Sequence, residues 1–182
     1  MNLSNQQADV TNIHWPEMTK YRCLTTLCCV ILVAGCGVRL TKMKATKRAE
    51  LLATERGRLS ELTDPVERTK AYIVISNILV SFASDAVKDG TIEELAVLMD
   101  QYVTAIESAS DTMAASKRDP ERRPQGYRDL ELALRSQTRL LRDIGNQLLV
   151  DQREPLDRAA ATASSIREEL LQLLFPQKPR TA

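Results

Sequence analysis

Asp64-Pro65-Val66-Glu67 opens and Asp89-Gly90 closes the stretch that decides the fold: residues 64–90, DPVERTKAYIVISNILVSFASDAVKDG. A carboxylate at Asp64 can accept from the free N–H groups of a first helical turn. Pro65 suits that turn, and Glu67 stands at the capping-box position. Gly90 tolerates the left-handed backbone that ends many helices. At 100° per residue, Ala71, Tyr72, Ile73, Ile75, Ile78, Leu79, Val80, Phe82, Ala83, Ala86 and Val87 cover an apolar arc of roughly 220°. Lys70, Asn77, Ser81, Ser84 and Lys88 gather on the remaining side. So wide an arc requires more than one packing neighbour, which predicts the central helix of an all-α domain.

The flanking sequence repeats the helical period. Thr91-Ile92-Glu93-Glu94 reads as a second capping box, opening a helix whose stripe is Ile92, Leu95, Met99, Tyr102, Val103 and Ile106 and which fades near Ser116. Residues 117–126, with two prolines and a glycine, form a polar loop. A fourth helical segment, residues 127–150, places Leu130, Leu134, Leu141, Ile144 and Leu148 on one face. A last one follows Pro155, with Ala159, Ala160 and Ala163 for close approach, and ends at Phe175-Pro176. Upstream, residues 39–58 form a basic helical segment. Short connections favour antiparallel neighbours. The expected architecture is therefore all-α: an up-and-down helical bundle of four principal helices (residues 63–176), preceded by a basic N-terminal helical segment (36–62) and followed by a disordered tail (177–182).

The N-terminal part carries an address. Lys20 and Arg22 precede CLTTLCCVILVAG (residues 23–35), an uncharged run too short to span a bilayer comfortably but of signal-peptide length. Leu32-Val33-Ala34-Gly35-Cys36 resembles the lipobox of bacterial lipoproteins: Leu, a tolerant position, a small residue, Gly or Ala, then Cys. The resemblance covers about the first fifth of the chain. It implies cleavage before Cys36, diacylglyceryl transfer to its thiol and a periplasm-facing, lipid-anchored domain. Two or three acyl chains hold a soluble domain durably, since each buried CH₂ contributes ~0.8 kcal/mol. Gly37, rather than Asp, after the cysteine resembles outer-membrane sorting in enterobacterial lipoproteins. The residues by themselves also allow a signal anchor or a buried apolar helix. Residues 1–17 are polar and contain Asp9 and Glu17, so Met18 is the better signal start. The expected division is a gene-model extension or disordered tail (1–17) and a lipoprotein signal peptide (18–35).

Composition narrows the chemistry. Cleavage removes two basic and two acidic side chains, leaving the net charge at the whole chain's +1, which gives no case for nucleic acid. His14, Trp15, Cys23, Cys28 and Cys29 all precede the cut, so beyond Cys36 there is no His, Trp or Cys. Ser-His, Cys-His and zinc mechanisms lack their residues, and the residue set implies no cofactor and no metal.

Arg128, Arg135, Arg139 and Arg142 lie within about 60° of arc on the fourth helix, opposite its apolar face. With Arg118, Arg122 and Arg123 in the preceding loop they make a candidate surface for an acidic envelope partner. A solvated face laced with pairs such as Glu131 and Arg135 explains the same pattern. Arg39, Lys42, Lys44, Lys47 and Arg48 could favour an anionic membrane surface. Gln137, in the middle of an apolar face, is expected to fix helix register or to line a cavity with Tyr102 and Tyr127. Glu107 and Asp111 share a helix face, and exposed carboxylate pairs are common. A lipid-anchored, non-enzymatic interaction or structural module leads. A small-ligand-binding bundle and an enzyme limited to carboxylate, Lys, Tyr or Ser groups are the competing readings.

Overall fold

In a computed structural model of the chain, residues 43–176 are described. The regular structure among them is helical, with five α-helices and no strand. These are α1 (Ala45–Arg58), α2 (Pro65–Asp89), α3 (Leu95–Ala115), α4 (Tyr127–Gly145) and α5 (Glu154–Leu174). Short 3-10 turns, Ile92–Glu94 and Val150–Gln152, precede α3 and α5.

Helix α2 begins and ends where its sequence predicts. Asp64 Oδ1 accepts from the backbone N–H of Val66 at 2.7 Å and of Glu67 at 3.1 Å. Glu67, expected to reach back and complete a capping box, instead accepts from Lys70 Nζ at 2.8 Å. At the other end Gly90 has φ +78°, and its N–H and that of Thr91 both donate to the Ala86 carbonyl. The capping box expected at Thr91 does not form. Thr91 has φ −88° and ψ 59° and makes no side-chain cap, because it comes straight out of the left-handed glycine. The chain takes a 3-10 turn before α3 starts at Leu95.

Helix α4 is shorter than its periodicity suggests. It ends at Gly145, two weak helix formers (Gly145 and Asn146) preceding a reversal. Leu148 still buries its side chain beyond the helix, and Arg153 Nε donates to its carbonyl at 2.9 Å. The apolar period therefore continues for one more turn than the helix does.

The core is built from α2 to α5. Ile78, Leu79, Leu95, Met99, Tyr102, Ile106, Met113, Leu130, Leu134, Leu141, Ile144 and Leu156 are fully buried, each aliphatic side chain contributing about 1.5–3 kcal/mol. Helix α2 packs on α1, α3 and α4, as its wide apolar arc requires. By length and hydropathy it could cross a bilayer, yet half of its apolar window is buried by these neighbours.

Two antiparallel pairs, α2–α3 and α4–α5, account for the tightest packing. They lie side by side, α2 against α4 and α3 against α5, while the backbones of the consecutive helices α3 and α4 stay apart and meet through side chains such as Tyr102 and Gln137. Ion pairs record the directions. Arg158 and Asp100, both early in their helices, meet at 2.9 Å, so α3 and α5 run the same way. Arg167, late in α5, meets Glu131, early in α4, at 2.9 Å, so these two oppose. The expectation that consecutive helices are neighbours thus fails at one connection. The loop of residues 116–126 is long enough to cross from α3 to the far side of α2, and no short turn enforces adjacency there.

Candidate functional site

Arg128, Arg135, Arg139 and Arg142 are all exposed on one side of α4, opposite Leu130, Leu134, Leu141 and Ile144. Their environments differ. Arg135 donates from Nε (3.1 Å) and Nη2 (2.8 Å) to the Glu131 carboxylate. Arg128, Arg139 and Arg142 make no ion pair among the described residues. In the loop, Arg122 lies 3.5 Å from Asp119 with both side chains largely in solvent, and Arg123 is exposed. The arginine stripe is a real surface, and one of its four α4 members is already spoken for within the fold.

Glu131 organises the neighbourhood. Its side chain is buried against α5, and Oε1 accepts from Arg135 on its own helix and from Arg167 Nε at 2.9 Å on α5. Burial by itself raises the pKa of this carboxyl. The hydrogen bonds and charges of Arg135 and Arg167 outweigh that effect and hold it below the ordinary value. A buried carboxylate thus fixes two guanidinium groups at the edge of the α4–α5 interface.

Beside it runs a groove of about 520 Å³ between the N-terminal half of α4, the end of α5 and the loop. Leu132, Leu171, Leu174 and Phe175 supply apolar surface, and Arg128 and Arg135 together with Glu121 and Glu131 supply charge. Leu132 is 47% exposed and Phe175 71% exposed, although both are large apolar side chains. The sequence pattern directs attention to the arginines and passes over these apolar partners. The available signal was Leu132, an apolar side chain set between Arg128 and Arg135 on the otherwise charged face.

Gln137 is buried and fully partnered. Its Nε2 donates to Ser76 Oγ and Asn77 Oδ1, each at 2.8 Å, and its Oε1 accepts from Tyr102 Oη at 3.1 Å. One amide thereby ties α4 to α2 and α3. Burial pushes the Tyr102 phenol far above its ordinary pKa, so it serves as a neutral donor. Tyr127 Oη donates to the Met113 carbonyl at 2.9 Å. Among the described residues these contacts fit the expected register role rather than its alternative, a cavity lined by Tyr102, Tyr127 and Gln137: the three side chains are buried and spend their polar atoms on protein partners, and the groove lies elsewhere.

The other sequence candidates separate. Glu107 and Asp111 are exposed on α3, and no cluster of three or more ligand-type side chains is placed to hold a metal ion among the described residues. Lys44 and Lys47 are exposed. Arg48 is not free to face a membrane. It is only 6% exposed, paired with Asp85, and stacked 5.3 Å from the centroid of the Phe82 ring. Cys36, Arg39 and Lys42 lie outside the described residues, as do the signal segment and the tail.

Comparison with models of known protein families, with curated proteins and with solved structures finds no match for this chain.

Proposed function

We propose that the chain is a lipid-anchored helical module of a bacterial envelope, held at the membrane by acyl chains on Cys36 and facing the periplasm. It binds a partner protein and performs no catalysis of its own. The reading is supported by the lipobox-like Leu32-Val33-Ala34-Gly35-Cys36. The observation that carries the binding role is the exposed arginine face of α4, on which Arg128, Arg139 and Arg142 stand without ion pairs among the described residues. Three unpaired guanidinium groups on one rigid helix match carboxylates, through paired N–H donors, better than they match any neutral surface. Chain reversal at each connection from α2 to α5 supports reading the four long helices as an up-and-down bundle, with α1 as the added basic segment. The outer membrane is the favoured location.

Two measurements test this. Intact-mass analysis of the membrane fraction gives a mature N-terminus at Cys36 carrying acyl chains, and Cys36→Ser releases the domain from the membrane; an unprocessed N-terminus refutes the anchor. Partner recovery from solubilised membranes is then compared between the wild type and Arg128→Glu/Arg139→Glu/Arg142→Glu. An identical set of partners removes the arginine face from the reading.

A second reading, a small-ligand-binding bundle, is favoured by one observation: the α4–α5 groove falls within the volume range of small-molecule sites, roughly 300–1,000 Å³.

A further inference from the structure

The two antiparallel helix pairs are treated differently on their outer faces. Over α2 and α3 lies α1. Its Arg56 Nη2 donates to Gln101 Oε1 on α3 at 2.8 Å, and Arg48 stacks on Phe82 of α2. Leu52 and Leu59 pack against the core edge, and Leu59 lines a small cavity with Tyr72 and Ile75. Over α4 and α5 no described segment lies. The groove there keeps Leu132 and Phe175 in solvent.

We propose that this groove seats an acidic amphipathic helix of a partner protein, in the way that α1 covers the other pair. The proposal deepens the reading that the α4 arginine face is a contact surface. Three features select the occupant. The apolar side chains Leu132, Leu171, Leu174 and Phe175 match a leucine-type stripe, which adds affinity through the area removed from water. The charged edge mixes signs: Arg128 and Arg135 face Glu121 and Glu131, and Arg122 lies beside Asp119. But Glu131 is shared by two guanidinium groups (Arg135 and Arg167), and Arg128 and Arg123 make no ion pair among the described residues, so the excess is positive and the complementary flank is carboxylate. Of the segments left after cleavage before Cys36, those outside the α2–α5 bundle have the wrong sign. The tail of residues 177–182 carries Lys178 and Arg180 and no acid. Helix α1, offered by a second copy, carries four basic and two acidic side chains. Like charges at the rim disfavour both.

The arrangement at Glu131 suits this role. That carboxylate is engaged by Arg135 and Arg167 through one oxygen, which holds the Arg135 guanidinium in place without a search for position. A pre-positioned cation loses less conformational freedom on binding.

The test uses the full-length protein in detergent and a fluorescein-labelled peptide of about 15 residues, a length at which an isolated helix is only marginal. The peptide has leucines at helical i, i+3, i+4 and i+7 spacing and glutamates on the other face; a twin has lysines in place of the glutamates. Fluorescence anisotropy is expected to show the acidic peptide binding at least ~10-fold tighter than its twin, a difference worth about 1.4 kcal/mol, with affinity falling as salt is added. Arg128→Glu and Leu132→Ser, both at exposed positions and checked for folding by circular dichroism, each weaken it about 10-fold or more. Binding of neither peptide, equal binding of both, or acidic binding indifferent to Arg128→Glu overturns the proposal. So does displacement of the acidic peptide by phosphatidylglycerol vesicles, which assigns the groove to lipid. Arg139→Glu/Arg142→Glu lies outside the groove and separates the two levels. If it abolishes partner recovery while neither peptide binds, the arginine-face reading stands and the groove falls. If peptide binding still depends on Arg128 while partner recovery is unchanged, the groove stands without the distal arginines.

Discussion

Replacing Gln137 with Leu tests whether the one buried amide of α4 sets the register of three helices. The substitution keeps the volume close and removes three hydrogen bonds, to Ser76, Asn77 and Tyr102. Each is worth a net ~0.5–1.5 kcal/mol. The stranded groups are unequal. Ser76 Oγ already donates to the Ile73 carbonyl, and Asn77 is only partly buried, so both find partners. Tyr102 is fully buried, and its hydroxyl has no other acceptor among the hydrogen bonds found, which adds ~1–3 kcal/mol for an unpaired donor. The apolar gain of leucine offsets part of the sum. A net loss of about 2 kcal/mol remains, equivalent to roughly 6–10 °C in Tm for a domain of this size. Urea denaturation of Gln137→Leu, Tyr102→Phe and the double variant gives the decisive number. The double variant should cost at least ~1 kcal/mol less than the two singles together, because Phe removes the stranded hydroxyl. Additive costs, or a single variant as stable as wild type, would refute the network as a register device.

Three further outcomes follow from the geometry. Glu131→Gln should destabilise the domain by about 1–2 kcal/mol at neutral pH. The folded pKa of Glu131 is below its ordinary 4.5, so the wild type's advantage is complete above that pH and is lost as pH falls through the lower folded value; urea midpoints that differ equally at pH 7 and at strongly acidic pH would contradict it. Gly126→Ala should cost more than Gly90→Ala. Both glycines have positive φ, but a Cβ at Gly126 would stand 2.6 Å from Met113 Sδ, whereas at Gly90 it meets open space. The expected costs are about 2–3 and about 1 kcal/mol, read as thermal midpoints. Arg48→Ala should loosen α1 without unfolding the rest, because it removes the Asp85 pair and the Phe82 stack while leaving α2 to α5 untouched. Limited proteolysis should then cut within residues 45–62 at a rate raised several-fold, with near-unchanged thermal unfolding of the remainder.

The sequence made the helices legible because their signals are local. Asp64, Pro65 and Gly90 act within one turn of themselves, and the heptad-like burial of Leu95, Met99, Tyr102 and Ile106 needs no knowledge of the neighbours. What escaped was long-range. That α4 lies beside α2 rather than α3 depends on the path of residues 116–126, which no periodicity encodes. The partner of Gln137 could be any of several helices until packing brought Ser76, Asn77 and Tyr102 to it. The groove escaped for the same reason, since its wall combines Leu132 of α4 with Leu171, Leu174 and Phe175 some forty residues later. The arginine stripe was legible as a pattern on one helix. The Glu131–Arg135 pair was legible too, from its i,i+4 spacing; that Arg167 of α5 shares the same carboxylate was not, because it comes from another element.

The burial of Arg48 bears on how the proposed anchor would relate to the proposed binding face. An exposed basic helix next to Cys36 could lie along an anionic surface or stand as a stalk, and either would leave the rest of the domain free to turn. Pairing with Asp85 and stacking on Phe82 instead make α1 part of the folded unit. Under the proposed lipidation of Cys36, residues 37–44 are the link to this unit, and eight residues span at most about 30 Å. If Cys36 is lipidated, the α4–α5 groove is confined to a thin layer above the bilayer, on the opposite side of the helix pairs from α1. A partner helix must reach it there, which favours a protein that is itself at the membrane. Confinement also raises the effective concentration of such a partner, so modest affinity in the groove is enough for association. Lengthening the 37–44 segment with a flexible Gly/Ser insert should weaken co-purification of the partner from membranes while leaving affinity for the acidic peptide unchanged. Equal loss of both would place the effect in the fold rather than in the tether.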